Sequence, residues 1–333
     1  MKKKQKLLLL LSASLFLIIL IINFSAERVT GKVPEYRVKR GYIFDRNFNP
    51  IAVSLENYKA YYLLKDNALF DSSDISFLKK YLGSTINLSK KGIILLSEDL
   101  SLEEVEKLKK EKNVIIEKTF KRKVLQPYLK FLVGETFNGY GVSGLEKIFD
   151  EHLRIGNPLV LSIDLNLEKK IYNIIYESNL PGFGIAVFDL ETGELLGYLE
   201  SENLRLFDNY YPLNLFGIHP SELKDFNWVL GENLMLKEMD TIKINLWHLA
   251  KWYMEKACNQ SVIPTILPQK TKICEPNLEI FEKREYIYDL GKIFITVAFK
   301  NNKLILSSFA FNPQEKDLLS KNKKIINYII SML

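Results

Sequence analysis

Three places in this 333-residue chain set a serine hydroxyl three residues ahead of a lysine amine: Ser76 and Lys79, Ser221 and Lys224, and Ser320 and Lys323. Residues three apart are neighbours on a helix. An amine beside a hydroxyl can take its proton and activate it for attack on an acyl carbon. With 46 lysines and arginines in the chain, such spacing also arises by chance, so position along the chain must decide among the three. The two cysteines, Cys258 and Cys274, belong to no CxxC, and His152, His219 and His248 are scattered. No metal site and no cofactor is expected from that pattern. The cysteines read as free, buried thiols; a disulfide is the alternative if the domain lies outside the cytoplasm.

The elements that would position such groups begin with the ends of charge and hydropathy. Formal net charge is +6, of which four come from Lys2, Lys3, Lys4 and Lys6, leaving +2 for the rest. The basic balance is therefore a topology signal, not the clustered patch of a nucleic-acid binder. Residues 7–24 are apolar apart from Ser12, Ser14 and Asn23. As a helix they would span roughly 27 Å, enough for a bilayer core. The lysines ahead of them place residues 1–6 in the cytoplasm and the bulk of the chain outside, as a single-pass protein of the plasma membrane. A cleaved signal peptide is the competing reading, but Phe24-Ser25-Ala26 makes a poor cleavage site.

Beyond that segment the patterning is mixed. Residues 41–64 alternate apolar and polar around a turn at Asp45–Pro50, the signature of strand, turn, strand. Residues 73–82 read as helix, Ser101 to Glu104 as a capping box opening a helix to about Lys112, and 113–122 as a strand. A glycine-punctuated loop then leads into a helix ending near Leu153. The character changes at Asn157-Pro158. A strand over 159–163, an amphipathic helix over 166–178, hairpins over 184–199 and 292–311, and a last helix over 314–332 follow. That last helix is expected to bury Ile325, Ile326, Tyr328, Ile329 and Ile330. The order suggests an α+β architecture with an antiparallel sheet covered by helices.

Two stretches resemble the N-terminal module of class B penicillin-binding proteins. The first matches the pattern R-G-x-I-x-D-R-x-G-x-x-L-A through Arg40, Gly41, Ile43, Asp45, Arg46 and Ala52. Ile51 replaces the leucine, and Phe48 stands where the pattern has glycine, so this turn is expected to be built differently. The physical sense is a tight hairpin fixed by a buried or paired Asp45/Arg46 couple. The second stretch carries Gly141, Ser143, Gly144, Leu145, Glu146, Asp150, Leu153 and Gly156. Lys121-Arg122 resembles the arginine that precedes that block only loosely. Leu161–Asp164 with Leu167, and Gly184–Gly197, are similar to the entry and first hairpin of the transpeptidase domain.

The resemblance implies serine acyl transfer on a D-alanyl-D-alanine carbonyl, built from S-x-x-K, S-x-N and K-T-G. Ser221 and Lys224 stand in the right place, after the first hairpin, for nucleophile and base. No S-x-N lies between Lys224 and Asn245; Ser201-Glu202-Asn203 has the letters but precedes Ser221 and reads as a loop. Asp240–Ala250, Ala257-Cys258-Asn259 and Pro264 are similar to the block that follows S-x-N. Lys270-Thr271-Lys272 is the candidate for a K-T-G remnant on the sheet edge, with Lys270 and Thr271 as candidate substrate-binding residues and Lys272 in place of the glycine. An ordinary solvated loop is the competing reading.

The sequence thus divides into a cytoplasmic tail (1–6), an anchor (7–24), an N-terminal pedestal or dimerisation domain (25–158) and a shortened, degenerate transpeptidase-like domain (159–333). The resemblance implies a place in peptidoglycan synthesis and cell division. The partners it implies are a membrane glycosyltransferase and other divisome proteins. Peptidoglycan or its lipid-linked precursor, and β-lactams, are the ligands it implies, with no nucleic acid. A non-catalytic scaffold is preferred because S-x-N is missing; a minimal serine D,D-transpeptidase acting through Ser221 and Lys224 is the alternative.

Overall fold

The computed structural model describes residues 39–63, 76, 79–80, 93–204, 210–216, 218, 236–238 and 241–333. The stretch read as an anchor lies outside them, and no helix among the described residues is long and apolar enough to cross a membrane. Of the helix expected over 73–82, only Ser76, Lys79 and Lys80 are described, all helical.

The first half is a small sheet wrapped by short helices. Strand β1 (Ile43–Phe44) turns through Asp45–Asn49 into the long β2 (Pro50–Leu63). Then come β3 (Ile93–Ser97), helix α1 (Leu102–Leu108) and β4 (Val114–Val124), which pairs antiparallel with β2 along its length. Helix α1 opens on the expected capping box: the Glu104 amide donates to Ser101 Oγ, and the Ser101 amide donates to Glu104 Oε2 at 2.8 Å. It stops at Leu108, short of Lys112, and Asn113 turns the chain through a left-handed conformation (φ 64°). Next are α2 (Lys130–Val133), the two-residue strands β5 (Thr136–Phe137) and β6 (Tyr140–Gly141), α3 (Gly144–Ile148), α4 (Asp150–Arg154) and β7 (Leu159–Val160).

The β1–β2 turn departs from expectation. Phe48 occupies the left-handed region (φ 61°), so the backbone is that of a glycine turn with a phenylalanine placed in it. Its ring is 70% exposed and leans on Phe44.

Strand β7 pairs parallel with β1, so the chain passes from the first half into the second through the same sheet. Helix α5 (Leu165–Ser178) follows, capped by Asp164, whose side chain accepts from the Asn166 and Leu167 amides. Then come β8 (Gly182–Asp189), β9 (Leu195–Glu200), β10 (Tyr210–Pro212), β11 (Leu236–Glu238), β12 (Thr241–Asn245), α6 (Leu246–Cys258), β13 (Glu285–Asp289), β14 (Ile293–Lys300), β15 (Lys303–Ala310) and α7 (Leu318–Met332).

Five of these strands form an antiparallel sheet in the order β13-β14-β15-β8-β9. Both faces are covered, which is why β14 and β15 read as almost continuous apolar runs and not as alternating ones. Ile185, Val187, Ile305 and Phe309 pack under α5 and α7 on one face. Ala186, Phe188, Leu304 and Leu306 face α6 on the other, in a core continuous with Ile43 and Ile51 of the first half. In α7, Ile325, Ile326 and Ile329 are buried as expected, but Tyr328 is 62% exposed on the outer side. The fold is a mixed α and β architecture.

Candidate functional site

Ser221 and Lys224 lie outside the described residues, so the site is built from what flanks them. Phe216 and Ile218, the last described residues before Ser221, are buried in the core on the α6 face of the sheet. The Phe216 ring stands edge-on to Tyr288 at 5.0 Å. Tyr288 belongs to β13, which ends the five-stranded sheet among the described residues. Its hydroxyl shares a hydrogen bond of 2.9 Å with that of Tyr253 on α6, and burial pushes both phenols up, so both stay protonated. Tyr253 is boxed by Trp252, Phe281, Tyr286 and Phe299. Phe216, five residues before Ser221, is therefore packed against the sheet edge in an aromatic cluster. An edge strand presents unpaired backbone groups to which an extended peptide can add.

The edge strand is Glu285-Tyr286-Ile287-Tyr288-Asp289 and contains no Lys-Thr-Gly. Lys270, Thr271 and Lys272 do not lie on it. They sit exposed in the loop after α6, at the end of the sheet where β8 turns into β9. The reason is local: Lys272 Nζ pairs with Glu191 Oε2 at 2.8 Å, and the Ile273 amide donates to the Glu191 carbonyl at 2.7 Å. The two cysteines, read as free thiols, are bonded to each other and hold that loop to the end of α6. Ser201-Glu202-Asn203 is a turn after β9, with Ser201 Oγ accepting from the Phe183 amide at 2.9 Å.

The motif residues of the first half do converge. Arg40 Nε donates to Glu146 Oε2 at 3.0 Å, and its Nη1 donates to Asp150 Oδ1 at 2.8 Å and to the Gly139 carbonyl at 2.6 Å. Arg122 Nε donates to Glu146 Oε1 at 2.5 Å, and its Nη1 to the Gly41 carbonyl at 2.8 Å. Arg40, Arg122 and Glu146, with the half-buried Asp150 that Arg154 also approaches at 3.9 Å, thus form a mostly buried ionic network between β4, the chain before β1, and α3–α4. Desolvation pulls the Arg122 guanidinium down from its usual value, and the adjacent Glu146 carboxylate opposes that shift. The glycines are there for close approach. A Cβ on Gly41 would stand 1.7 Å from the Asn157 carbonyl oxygen, and one on Gly141 would stand 1.8 Å from that of Glu146. Gly144 opens α3.

Asp45 and Arg46 form no couple with each other. Asp45, fully buried, accepts from the Asn47 and Asn49 amides at 2.8 and 2.7 Å and reaches the Leu165 amide at 3.3 Å. Arg46 instead pairs with the buried Glu194 of the second half at 3.4 Å. Both residues therefore stitch the hairpin to the second half. Of the residues that meet here, Arg122 carries a sequence signal, its place ahead of the glycine block, whereas Glu194, Tyr253 and Tyr288 carry none.

No protein-family model and no curated protein matches the sequence. Among solved structures, a penicillin-binding protein (PBP2) from Helicobacter pylori superposes with a TM-score of 0.59 at 12% identity, covering 89% of this chain and 98% of that one. In its two halves and the sheet that joins them, the chain has a penicillin-binding-protein-like fold.

Proposed function

We propose that this chain is a non-catalytic, membrane-anchored homologue of the penicillin-binding proteins that acts as a scaffold in bacterial peptidoglycan synthesis and cell division. The observation that carries the reading is the edge strand β13. Its Tyr288 packs against Phe216, five residues before Ser221, yet its five residues include no Lys-Thr-Gly. The absence of S-x-N between Lys224 and Asn245 points the same way. An acyl donor needs both a nucleophile and a wall that orients it; misplacement alone can cost about a hundredfold in rate.

On this reading residues 7–24 cross the plasma membrane, 25–158 form the pedestal and 159–333 a shortened, degenerate transpeptidase-like domain. The bulk is extracytoplasmic, a placement with which the Cys258–Cys274 bond is consistent, since disulfides persist in oxidising compartments. The partners are a membrane glycosyltransferase of the cell-wall machinery and other divisome proteins, with peptidoglycan or its lipid-linked precursor as the polymer nearby.

A second reading keeps the enzyme: Ser221 as nucleophile, Lys224 as base, and Lys270 and Thr271 as substrate contacts. The contact of Phe216 with Tyr288 favours it, because it sets a residue five positions before Ser221 against the sheet edge. Labelling with a fluorescent penicillin decides. The scaffold gives no covalent adduct in the native chain. An adduct that disappears in Ser221→Ala establishes the transpeptidase instead.

A further inference from the structure

The segment from Cys258 to Cys274 is a strap tied across one end of the five-stranded sheet. Its first cysteine ends α6, and its second is bonded to it. The two sulfurs lie 3.6 and 3.3 Å from the Leu190 carbonyl oxygen, at the start of the β8–β9 turn. Within the strap, the Thr265 amide donates to the Gly193 carbonyl at 2.9 Å, and the Leu195 amide donates to the Thr265 carbonyl at 2.8 Å. The Ile266 carbonyl accepts from the Ser162 amide at 2.7 Å. The Gln269 amide donates to Glu194 Oε1 at 2.6 Å. Glu194 is 2% exposed, and its other oxygen faces Arg46 of the β1–β2 turn. One buried carboxylate is thus shared between the strap and the hairpin of the first half.

Val262, Pro264 and Ile266 of the strap are buried, and from Leu267 to Cys274 it is exposed or half-exposed. What holds that outer stretch, besides the disulfide, is the packing of half-buried Leu267 and Ile273 on the core, single hydrogen bonds and the Lys272–Glu191 pair, the polar contacts each individually weak. The covalent tie is the strongest single restraint among them. Both cysteines are half-buried and so within reach of a thiol reagent.

We propose that the Cys258–Cys274 bond is a redox-operated clasp that sets how firmly the two halves are joined at Arg46 and Glu194. Closing it joins the two sulfurs; two protons and two electrons leave the thiols and pass to an exchange partner that carries a disulfide, which is reduced to a dithiol. Closed, the strap fixes Gln269 and Glu194 in register and Glu194 holds Arg46. Opening is the reverse exchange, in which a dithiol partner supplies two electrons and two protons and is itself oxidised to a disulfide; the outer strap, the β8–β9 turn and the Arg46 contact then loosen together.

Hydrogen exchange on the full chain in detergent micelles, before and after reduction with a phosphine, tests this. Before reduction, neither cysteine is alkylated after unfolding. After reduction, the amides of Thr265, Ile273 and Arg46 exchange at least tenfold faster, while those paired between β2 and β4 keep their rates. Cys258→Ala/Cys274→Ala reproduces that local pattern. Glu194→Gln, with the disulfide intact, speeds Arg46 and leaves Ile273 unchanged. Free thiols before reduction, unchanged rates at Ile273 or Arg46 after it, or a uniform rise across the chain would each overturn the clasp, the last by making the bond a general staple.

Discussion

Arg40 and Glu146 are 106 residues apart in sequence and meet with two guanidinium nitrogens, Nε and Nη2, on Oε2 at 3.0 and 2.8 Å; their side chains are 6% and 1% exposed. Each residue anchors one of the two motifs of the first half, so this one contact binds those motifs into a single unit. A buried pair is not in itself evidence of net stabilisation, since desolvation opposes the attraction. Removing one partner is different, because Arg122 and Asp150 then face an unbalanced charge in a largely dry site.

Arg40→Met is therefore expected to cost about 3–5 kcal/mol of unfolding free energy, and Glu146→Leu a similar amount. Arg40→Lys keeps the charge and loses the fork, so it should fall between Met and the native residue. Denaturant unfolding of the three variants checks the order. A loss below about 1 kcal/mol in Arg40→Met would place the junction's strength elsewhere.

Phe48 supplies the opposite case. A β-carbon in the left-handed region costs roughly 1–2 kcal/mol, and the exposed ring recovers little by touching Phe44. Phe48→Gly relieves that strain at the cost of a more flexible unfolded chain. The net expectation is a gain of about 0.5 kcal/mol, read as a higher denaturation midpoint with the same slope.

Much of this was legible in the sequence because it is local. The capping box at Ser101, the turn at Asp45, the hairpins of the second half and the amphipathic faces of α5 and α7 all follow from residues a few positions apart. The Arg40–Glu146 junction was legible only as two matching motifs; that they touch is a long-range fact. Glu194 carried no signal, since a Thr-Gly-Glu turn reads as solvated and its burial depends on a strap arriving from residue 265. The K-T-G candidate at Lys270 illustrates the limit. Letters in the right order said nothing of Lys272's attachment to Glu191 or of the disulfide that ties the loop to the end of α6. A run of apolar neighbours suggests the buried side for Tyr328, but the helical period turns it outward while Ile325 and Ile329 stay in.

Glu168 should make stability fall as pH rises. It is fully buried on α5, one oxygen accepts from the Tyr198 amide, and Oε2 has no partner among the described residues. Burial drives its carboxyl well above the ordinary value of 4.5, opposed by that amide and reinforced by Asp164. A raised folded-state value means that its contribution is full below 4.5 and declines as pH climbs through the folded value. Glu168→Gln removes the titration while keeping the shape. Stability of the variant relative to the native chain is therefore expected to grow with pH above 4.5, measured by unfolding at a series of pH values. Parallel curves would mean that the carboxyl ionises without cost.

His248 acts at the acid end, with the opposite sign. It lies in the first turn of α6, 6% exposed, with Nδ1 2.6 Å from Asn245 Oδ1. Desolvation first, and the Lys251 charge second, lower its value from 6.5 to about 4. The unfolded chain therefore takes up this proton before the folded one does. The stability contributed by a neutral His248 is complete above 6.5 and drains away as pH falls to about 4, where the folded ring itself becomes charged. Full loss corresponds to about 3 kcal/mol. His248→Gln keeps a donor near Asn245 but has nothing to titrate, so its unfolding free energy should decline less over that window than that of the native chain. A proton NMR titration reads the same event directly: the ring resonances of His248 hold still through pH 6 and move only near 4, and a midpoint near 6.5 would show that the ring is solvated and the α6 terminus open.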